Sequence, residues 1–557
     1  MHRHRIRTQS PIRYRRFPAN QKRQRAANRY TFRSMTSSSD PGSSNTFLQN
    51  VVLPPGALLF KAQAVARAVG RQGGRAFLVG GYVRDALLGL SPKDADIEVY
   101  GLEAAALRRV LEGLGHVNCV GESFRVYKLV WHERVQNTPR NDGSRNDASS
   151  DHNNRTQQNA KSNAAAPSAA ALTSAAALST NAPVNRERHE LDVSLPRRDR
   201  KTGEGHRGFE VEGDPNASFE DACRRRDFTI NALLCDPLDG ALIDPFNGAL
   251  DLKNRLLRAV DPLHFAEDSL RVLRAVQFAA RFQMQVEPQT IALCRSIDLG
   301  DLPRERIWGE CEKWLLKAAR PSLGLEAARE LDVLQKLFPA LRACMSTHAR
   351  DLCAALDRGA RERDAMDEEE GQARDDAQSA AGAQSAASIS RLASRPARQA
   401  ALMLATIGAW LESETEFLDS LGIKTIAGYD VRAQVLALRD LARFPGQWYA
   451  QSQRGDAVFD GDLRRVALRC EPRLLMHLAR ALGDEDAASW FIERMRALGV
   501  EHGAPAPLLL GRRLLEMGLK TGPRIGQITR AIYQMQLDGT VSTHAQALEA
   551  ARAMIEE

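Results

Sequence analysis

Two kinds of hydrophobic patterning divide the chain. Between residues 76 and 195 the apolar positions come in short runs: Ala76–Val79 reads as a strand, Val83–Leu88 as the opening of a helix and Ala95–Tyr100 as a second strand. Arg125–Trp131 and Glu190–Leu195 read as two further strands. From Leu256 to the end, Leu, Ala and Arg recur at helical spacing in long segments punctuated by Gly and Pro. Strands mixed with helices, then helices alone, predict an α+β head followed by an all-helical remainder. Two stretches carry neither pattern: 135–187 is rich in Asn, Ala and Ser, and 359–398 in Asp, Glu, Arg, Ala and Ser. With few large apolar side chains to offset the entropy of ordering, both read as flexible insertions.

No run approaches the roughly 18 apolar residues of a helical membrane span, so a soluble chain is expected. Its 557 residues exceed a single core and predict several domains. The net charge of +8 suggests nucleic acid until it is located: residues 1–34 hold ten Arg, one Lys and no acid, and the remainder is close to neutral at −3. That leader admits three readings: an organellar transit peptide, a basic nucleic-acid arm, or a segment before an ordinary start at Met35. A cytoplasmic location is expected, with an organelle as the alternative if the leader is a transit peptide. The eight cysteines are scattered without a CxxC pair, which points to a reducing compartment rather than to disulfides or zinc.

The first candidate chemistry lies in Lys93-Asp94-Ala95-Asp96-Ile97-Glu98-Val99. On a strand, Asp94 and Asp96 project from one face while Ala95, Ile97 and Val99 face the core. Two carboxylates so placed repel unless a cation joins them, and Mg²⁺ takes such oxygen ligands together with substrate phosphates. A solvated strand face is the plainer alternative. Just upstream, Leu78-Val79-Gly80-Gly81-Tyr82-Val83-Arg84 runs from strand through Gly-Gly into a helix. Such a turn lets backbone amides approach a phosphate and aims a helix N-terminus at it, with Arg84 adding a charge-assisted contact.

An ordered series of motifs accompanies these two: GGYVRD, LLG and PKDADI, then RRRDFTINAL at 224–233, DPFNGALDL at 244–252, EDSLRVLRAVQFAARF at 267–282 and ERIWGE at 305–310. The series resembles the class II tRNA nucleotidyltransferases, the CCA-adding enzymes and their bacterial poly(A) polymerase relatives. The likeness covers about 55–135 and 188–320. It implies a polymerase-β-like nucleotidyltransferase head at 46–257 after a leader at 1–45, then a neck at 258–320, a helical body at 321–500 and a tail at 501–557.

Position by position, the resemblance implies that Asp94 and Asp96 are the catalytic, metal-binding carboxylates, with Gly80, Gly81 and Arg84 at the triphosphate and Mg²⁺ as cofactor. Asp192 stands where a third carboxylate is expected, and Glu190, on the same face, remains the alternative. Arg226 is implied at the triphosphate, Asp227 and Asn231 at the sugar end, Asp268 and Arg271 as the pair that reads the base edge of cytosine or adenine, and Arg274 toward phosphate. Without the family, the Arg-rich segment reads as a local ion pair, and 268, 271 and 274 as a salt-bridged helix face. One departure is Gln277, where many members carry Arg. A second is the segment Ala401–Gly408, which resembles the frame of an appended His-Asp phosphohydrolase but has Ile407 and Gly408 at the metal-ligand positions, so no hydrolase activity is expected.

Residues 511–539 resemble the tail of bacterial members, with Lys520, Arg524 and Arg530 as candidates to grip an RNA backbone or as a solvated face. The basic loop Arg197–Phe209 matches the region that in the family helps switch from C to A. The expected function is addition of CCA to the tRNA 3′ end from CTP and ATP by attack of the 3′-hydroxyl on the α-phosphorus with two Mg²⁺ ions. The alternative is a poly(A) polymerase, and a non-catalytic RNA-binding descendant is the reading from another class. No membrane and no obligate protein partner are expected.

Overall fold

The computed structural model describes residues 50–120, 126–134, 186–201, 209–379 and 395–556. The leader at 1–45 and nearly all of the insertion at 135–187 lie outside the described residues.

The head is built on one seven-stranded sheet. Helix α1 (Ala57–Gly70) leads into β1 (Arg75–Val79), whose last four residues are all buried, and β1 runs through a glycine turn into α2 (Gly81–Leu87). Then follow β2 (Asp96–Tyr100), α3 (Ala104–Glu112), β3 (His116–Val120), β4 (Val126–Arg134) and β5 (Arg186–Ser194). A separate hairpin pairs β6 (Arg197–Lys201) with β7 (Phe209–Gly213). After α4 (Phe219–Arg224), the short strands β8 (Leu234–Cys235) and β9 (Leu242–Ile243) complete the order β3-β4-β5-β2-β1-β8-β9. Only β2 and β5 run parallel; the other neighbours are antiparallel.

Alternation decides the faces of this sheet. Ile97 and Val99 of β2 and Leu191 and Val193 of β5 are buried in one core with Leu59, Ala62, Val65 and Val69 of α1. Their neighbours Asp96, Glu98 and Asp192 therefore fall on the other face. The five elements expected from the pattern between 76 and 195 are all present, with limits displaced by up to four residues. The strands β3, β8 and β9 and the hairpin β6–β7 were not foreseen: β8 and β9 have two residues each, and the hairpin is too polar to show an apolar alternation.

The described remainder is helical apart from two short strand pairs, Leu256–Leu257 with Gln285–Val286 and Thr425–Ile426 with Tyr429–Asp430. Next to the head stand α5 (Gly248–Lys253), α6 (Pro262–Ala266), α7 (Leu270–Phe282), α8 (Pro288–Ser296) and α9 (Arg304–Lys317). The starts of two are fixed by side-chain caps, Asp261 accepting from the amides of Leu263 and His264 and Glu287 from that of Thr290. The motif DPFNGALDL builds α5 rather than a site: Asp244 accepts from the amides of Gly248 and Ala249, and a Cβ on Gly248 would lie 2.0 Å from the Thr229 carbonyl oxygen.

Beyond α10 (Pro321–Glu330) and α11 (Val333–Leu337), α12 (Pro339–Ser379) is a 41-residue helix kinked at His348. This corrects the expectation of a flexible insertion over 359–398. Residues 359–379 continue α12, 395–398 open the next helix (Arg395–Gly408), and 380–394 lie outside the described residues. The abundance of Ala, Glu and Arg was a helix propensity. Ala360, Arg363 and Met366, three residues apart, turn one side of that helix into the core. Among the described residues no helix is long and apolar enough to cross a membrane.

Candidate active site

The site grows from the ends of three adjacent strands. β1 ends at Val79, paired with Asp96 at the start of β2, and Asp96 is paired in turn with Asp192 on β5. Asp96 and Asp192 therefore stand side by side on neighbouring strands, on the same face. Gly80 closes β1 with φ +62, a left-handed backbone that favours glycine, and a Cβ there would lie 2.9 Å from Nη1 of Arg226. The backbone conformation calls for glycine at this turn, which opens α2 at Gly81.

Asp94 departs from the expected arrangement. Asp94 lies two residues before the start of β2, although the Ala95 carbonyl between them still accepts from the Asp192 amide at 3.3 Å. Asp96 and Asp192 line a cleft of about 600 Å³, whereas Asp94 lines an adjoining cavity of about 440 Å³ together with Glu190, Tyr82 and Lys93. The two acids of β5 thus face different cavities and share one cation, Lys128, which donates to Glu190 at 2.5 Å and to Asp192 at 3.2 Å. Asp94 is still close enough to act electrically. Partial loss of water raises the Asp96 carboxyl above its ordinary range, Asp192 raises it further, and Asp94 and Glu98 add to this against the opposing pull of Arg226.

The segment Arg224–Asn231 supplies the opposite wall. Arg224 forms a local pair with Glu220, as an Arg-rich helix end would. Arg225 and Arg226 do something the local pattern did not show: both guanidiniums donate to Glu98 on β2, at 3.3 and 2.8 Å. Glu98 also accepts from the Tyr100 hydroxyl at 3.0 Å and is 3% exposed. Burial works against the charge on Arg226, but Glu98, with Cys223, Tyr100 and Asp96 adding to it, outweighs burial and holds its pKa above the ordinary value.

Asp227 anchors a chain of contacts running from α2 to α7. Its carboxylate accepts from Nε and Nη2 of Arg274 at 2.7 and 2.6 Å, from Asn231 at 2.9 Å and from the Phe228 amide at 2.8 Å. Burial raises this carboxyl, but Arg274 and the hydrogen bonds outweigh it and keep its pKa below the ordinary range. Asn231 accepts from Arg84 at 2.7 Å, and Arg84 also donates to Asp85 and stacks 4.5 Å over Phe282. Arg84 and Arg274 line the cleft, yet both already hold protein partners.

Asp268 and Arg271 both line the cleft but do not pair with each other. Asp268 accepts from Arg306 of α9 at 3.1 and 3.2 Å. Arg271 donates to two backbone carbonyls, that of Arg225 at 2.7 Å and that of His264, and burial lowers its pKa. Gln277 is buried and accepts from Arg281 at 3.0 Å, outside the cleft lining. Sequence reasoning missed Glu98, Arg225 and Arg306. The first was visible as the third member of the 94, 96, 98 alternation; the pairing of Asp268 with Arg306 spans 38 residues and left no local trace.

Among the described residues no three His, Cys, Asp or Glu side chains stand close enough together to hold a metal ion. Burial contributes most to the raised Asp96 carboxyl and the repulsion from Asp192 next, and a divalent cation between the two carboxylates would relieve that repulsion, so the donors fit such an ion in kind and charge. Elsewhere, Ile407 lies fully buried in the body, and Arg524 of the tail donates to the carbonyls of Met554 and Ile555.

Residues 76–258 match the family model of the poly A polymerase head domain. A multifunctional CCA protein of Stenotrophomonas maltophilia (strain K279a) is 43% identical over 159 residues, 27% of this chain and 39% of that protein. The chain thus matches about two fifths of that relative's length. Two solved structures share the fold across most of the chain. The Bacillus stearothermophilus CCA-adding enzyme in complex with CTP has a TM-score of 0.56 at 19% identity, covering 89% of this chain and 99% of that one. The Thermotoga maritima CCA-adding enzyme complexed with tRNA-CCA has 0.52 at 18%, covering 91% and 99%.

Proposed function

Because residues 76–258 match the poly A polymerase head domain, we propose that the protein is a template-independent RNA nucleotidyltransferase that adds CCA to tRNA 3′ ends from CTP and ATP. The observation that carries the proposal is the cleft itself, in which Asp96 and Asp192 stand side by side near a Gly80-Gly81 turn and the charged Arg226. Carboxylates for a cation and a glycine turn for phosphate meet in one cavity, which suits phosphoryl transfer and has no use in a passive RNA binder.

Mg²⁺ held by Asp96 and Asp192, with Asp94 at their side, would lower the pKa of the acceptor hydroxyl and neutralise charge on the phosphates. The chain's own residues do the rest. The turn at Gly80 and the start of α2 bring backbone amides to the triphosphate. Arg226, held charged by Glu98, adds a guanidinium on the same side. Asp227 and Asn231, fixed by Arg274 and Arg84, set the floor on which the sugar end rests. Asp268 and Arg271 present an acceptor and donors from the neck side of the cleft, so one pocket reads cytosine and adenine without a template. Of the two acids on β5, we assign Asp192 as the third carboxylate, because it shares the cleft with Asp96 while Glu190 turns to the adjoining cavity. The work is assigned to the cytoplasm.

The head-domain match also suits the second reading, a poly(A) polymerase. One experiment separates the two. Full-length protein is incubated with Mg²⁺ and labelled CTP or ATP on tRNA lacking CCA, tRNA ending in CC, and an unrelated RNA. Incorporation that requires tRNA and stops after CCA is expected. Unbounded adenylation of all three acceptors would establish the polymerase instead, and no incorporation at all would leave a binding module.

A further inference from the structure

We infer that Glu98 is a positioning residue for the incoming nucleotide, its buried carboxylate fixing Arg225 and Arg226 as one unit beside the Gly80 turn. The inference deepens the reading of the cleft as a nucleotide site and rests on it.

A carboxylate at this depth is costly unless it is matched, and here it is matched beyond need. Glu98 sits two residues past Asp96 on β2, on the cleft face, and takes two guanidiniums and one phenol: Arg226 at 2.8 Å, Arg225 at 3.3 Å and Tyr100 at 3.0 Å. Without it, the two adjacent guanidiniums would lose the carboxylate oxygen they share. Arg226 would then have little to hold it against the turn, where its Nη1 lies 2.9 Å from the place a Cβ on Gly80 would occupy. Its Nε is buried and has no hydrogen-bond partner, so among the described residues its guanidinium is directed by the hydrogen bond to Glu98 and a long 3.5 Å contact to the Asn231 carbonyl, with Asp96 attracting it from the start of β2.

The arrangement reaches further through the backbone. The carbonyl of Arg225, the residue Glu98 also grips, accepts from Nη2 of Arg271 at 2.7 Å. The strand that carries Asp96 is thereby tied to the phosphate-side guanidinium and, at one remove, to the base-side guanidinium. A single carboxylate outside the metal pair sets the distance between the reacting phosphate and the residue that selects the base.

The test uses the full-length protein and two readouts. Binding of CTP and of ATP is measured by calorimetry, and incorporation on tRNA lacking CCA gives KM and kcat. Glu98→Gln keeps the shape and removes the charge, Glu98→Ala removes both, and each is also made on an Arg226→Ala background. The expected result is a weakening of both nucleotides by roughly ten- to a hundredfold, the scale of a charge-assisted hydrogen bond. The KM for tRNA should stay unchanged. Because Glu98 acts through Arg226, adding Glu98→Ala to Arg226→Ala should cost little more. A merely structural Glu98 would lower the midpoint of thermal unfolding while leaving nucleotide affinity and KM in place, and its effect would multiply with that of Arg226→Ala; either result overturns the inference. Should Glu98→Ala not fold, Glu98→Gln decides alone. Nucleotide that binds to the wild type but is never added to tRNA would sink the assigned reaction while the affinities still judge Glu98.

Discussion

The cleft face of β2 and the helix Arg395–Gly408 treat buried polarity in opposite ways. Along the helix, residues 400–405 and Ile407 are fully buried and apolar, and the one polar side chain among them, Thr406, is satisfied by the Leu402 carbonyl at 2.8 Å. The charges around it are paired off: Arg398 with Glu471 at 2.7 Å, and Arg363 with the carbonyls of Leu315 and Ala318. On β2 the chain instead partly desolvates Asp96 beside Asp192, with Asp94 adding to the repulsion and Arg226 opposing it only in part. The body is arranged to be stable, whereas the head holds a local conflict that only a ligand resolves.

The sharpest way to break that contrast is Asp96→Asn. If Asp96 holds the proposed Mg²⁺, its loss removes several kcal/mol of transition-state stabilisation, so incorporation should fall on the order of 10³-fold or more. Without metal, the same variant should melt higher than wild type at neutral pH. Because the Asp96 carboxyl is raised in the fold, its protonated form is favoured there, and the associated stability is complete below the ordinary carboxylate range and lost as pH rises through the raised value. The melting gap should therefore be widest at neutral pH and close on acidification. Mg²⁺ should stabilise wild type and not the variant. A variant that is less stable than wild type at neutral pH, or a gap that widens in acid, would mean that the carboxylates are not in conflict.

Leu404→Ala probes the other side of the comparison. A fully buried leucine in a helix packed on every side should cost about 2–5 kcal/mol, read as an earlier urea midpoint. The KM for CTP and ATP of the folded fraction should not change. A shift in KM would show that the body is coupled to the cleft rather than supporting it.

These two regions also differ in how openly the chain displays them. The strand, glycine turn and alternating acids could be read in order from 76 to 100, because each depends on neighbours within a few residues. So could the burial of Ile97 and Val99. What escaped depends on distance: Glu98 carries the same alternation as Asp96, but the arginines that hold it follow 127 and 128 residues later. The resemblance implies Asp268 and Arg271 as one base-reading pair, whereas the side chain that Asp268 contacts is Arg306, 38 residues on. The stretch at 359–379 was misread for a different reason. Its composition is polar on average, and only the spacing of Ala360, Arg363 and Met366 reveals the side that packs.

The smallest effect sharpens the comparison at the far end of the chain. Arg524 stands in the first turn of the helix Pro523–Asp538 and reaches the last carbonyls of the helix His544–Glu556, Met554 at 3.0 Å and Ile555 at 3.3 Å. A cation at a helix C-terminus is worth roughly 0.3–1 kcal/mol, and these two contacts occupy one of the guanidinium nitrogens. Arg524→Ala should then loosen the last turn of the terminal helix, seen as faster amide exchange there, and leave tRNA affinity and its salt dependence almost as in wild type. If Arg524 instead gripped an RNA phosphate, the same substitution would weaken tRNA binding uniformly and reduce the salt slope by about one charge. Exchange at the terminal helix without a change in slope would place the arginine with the paired charges of the body rather than with the open ones of the head.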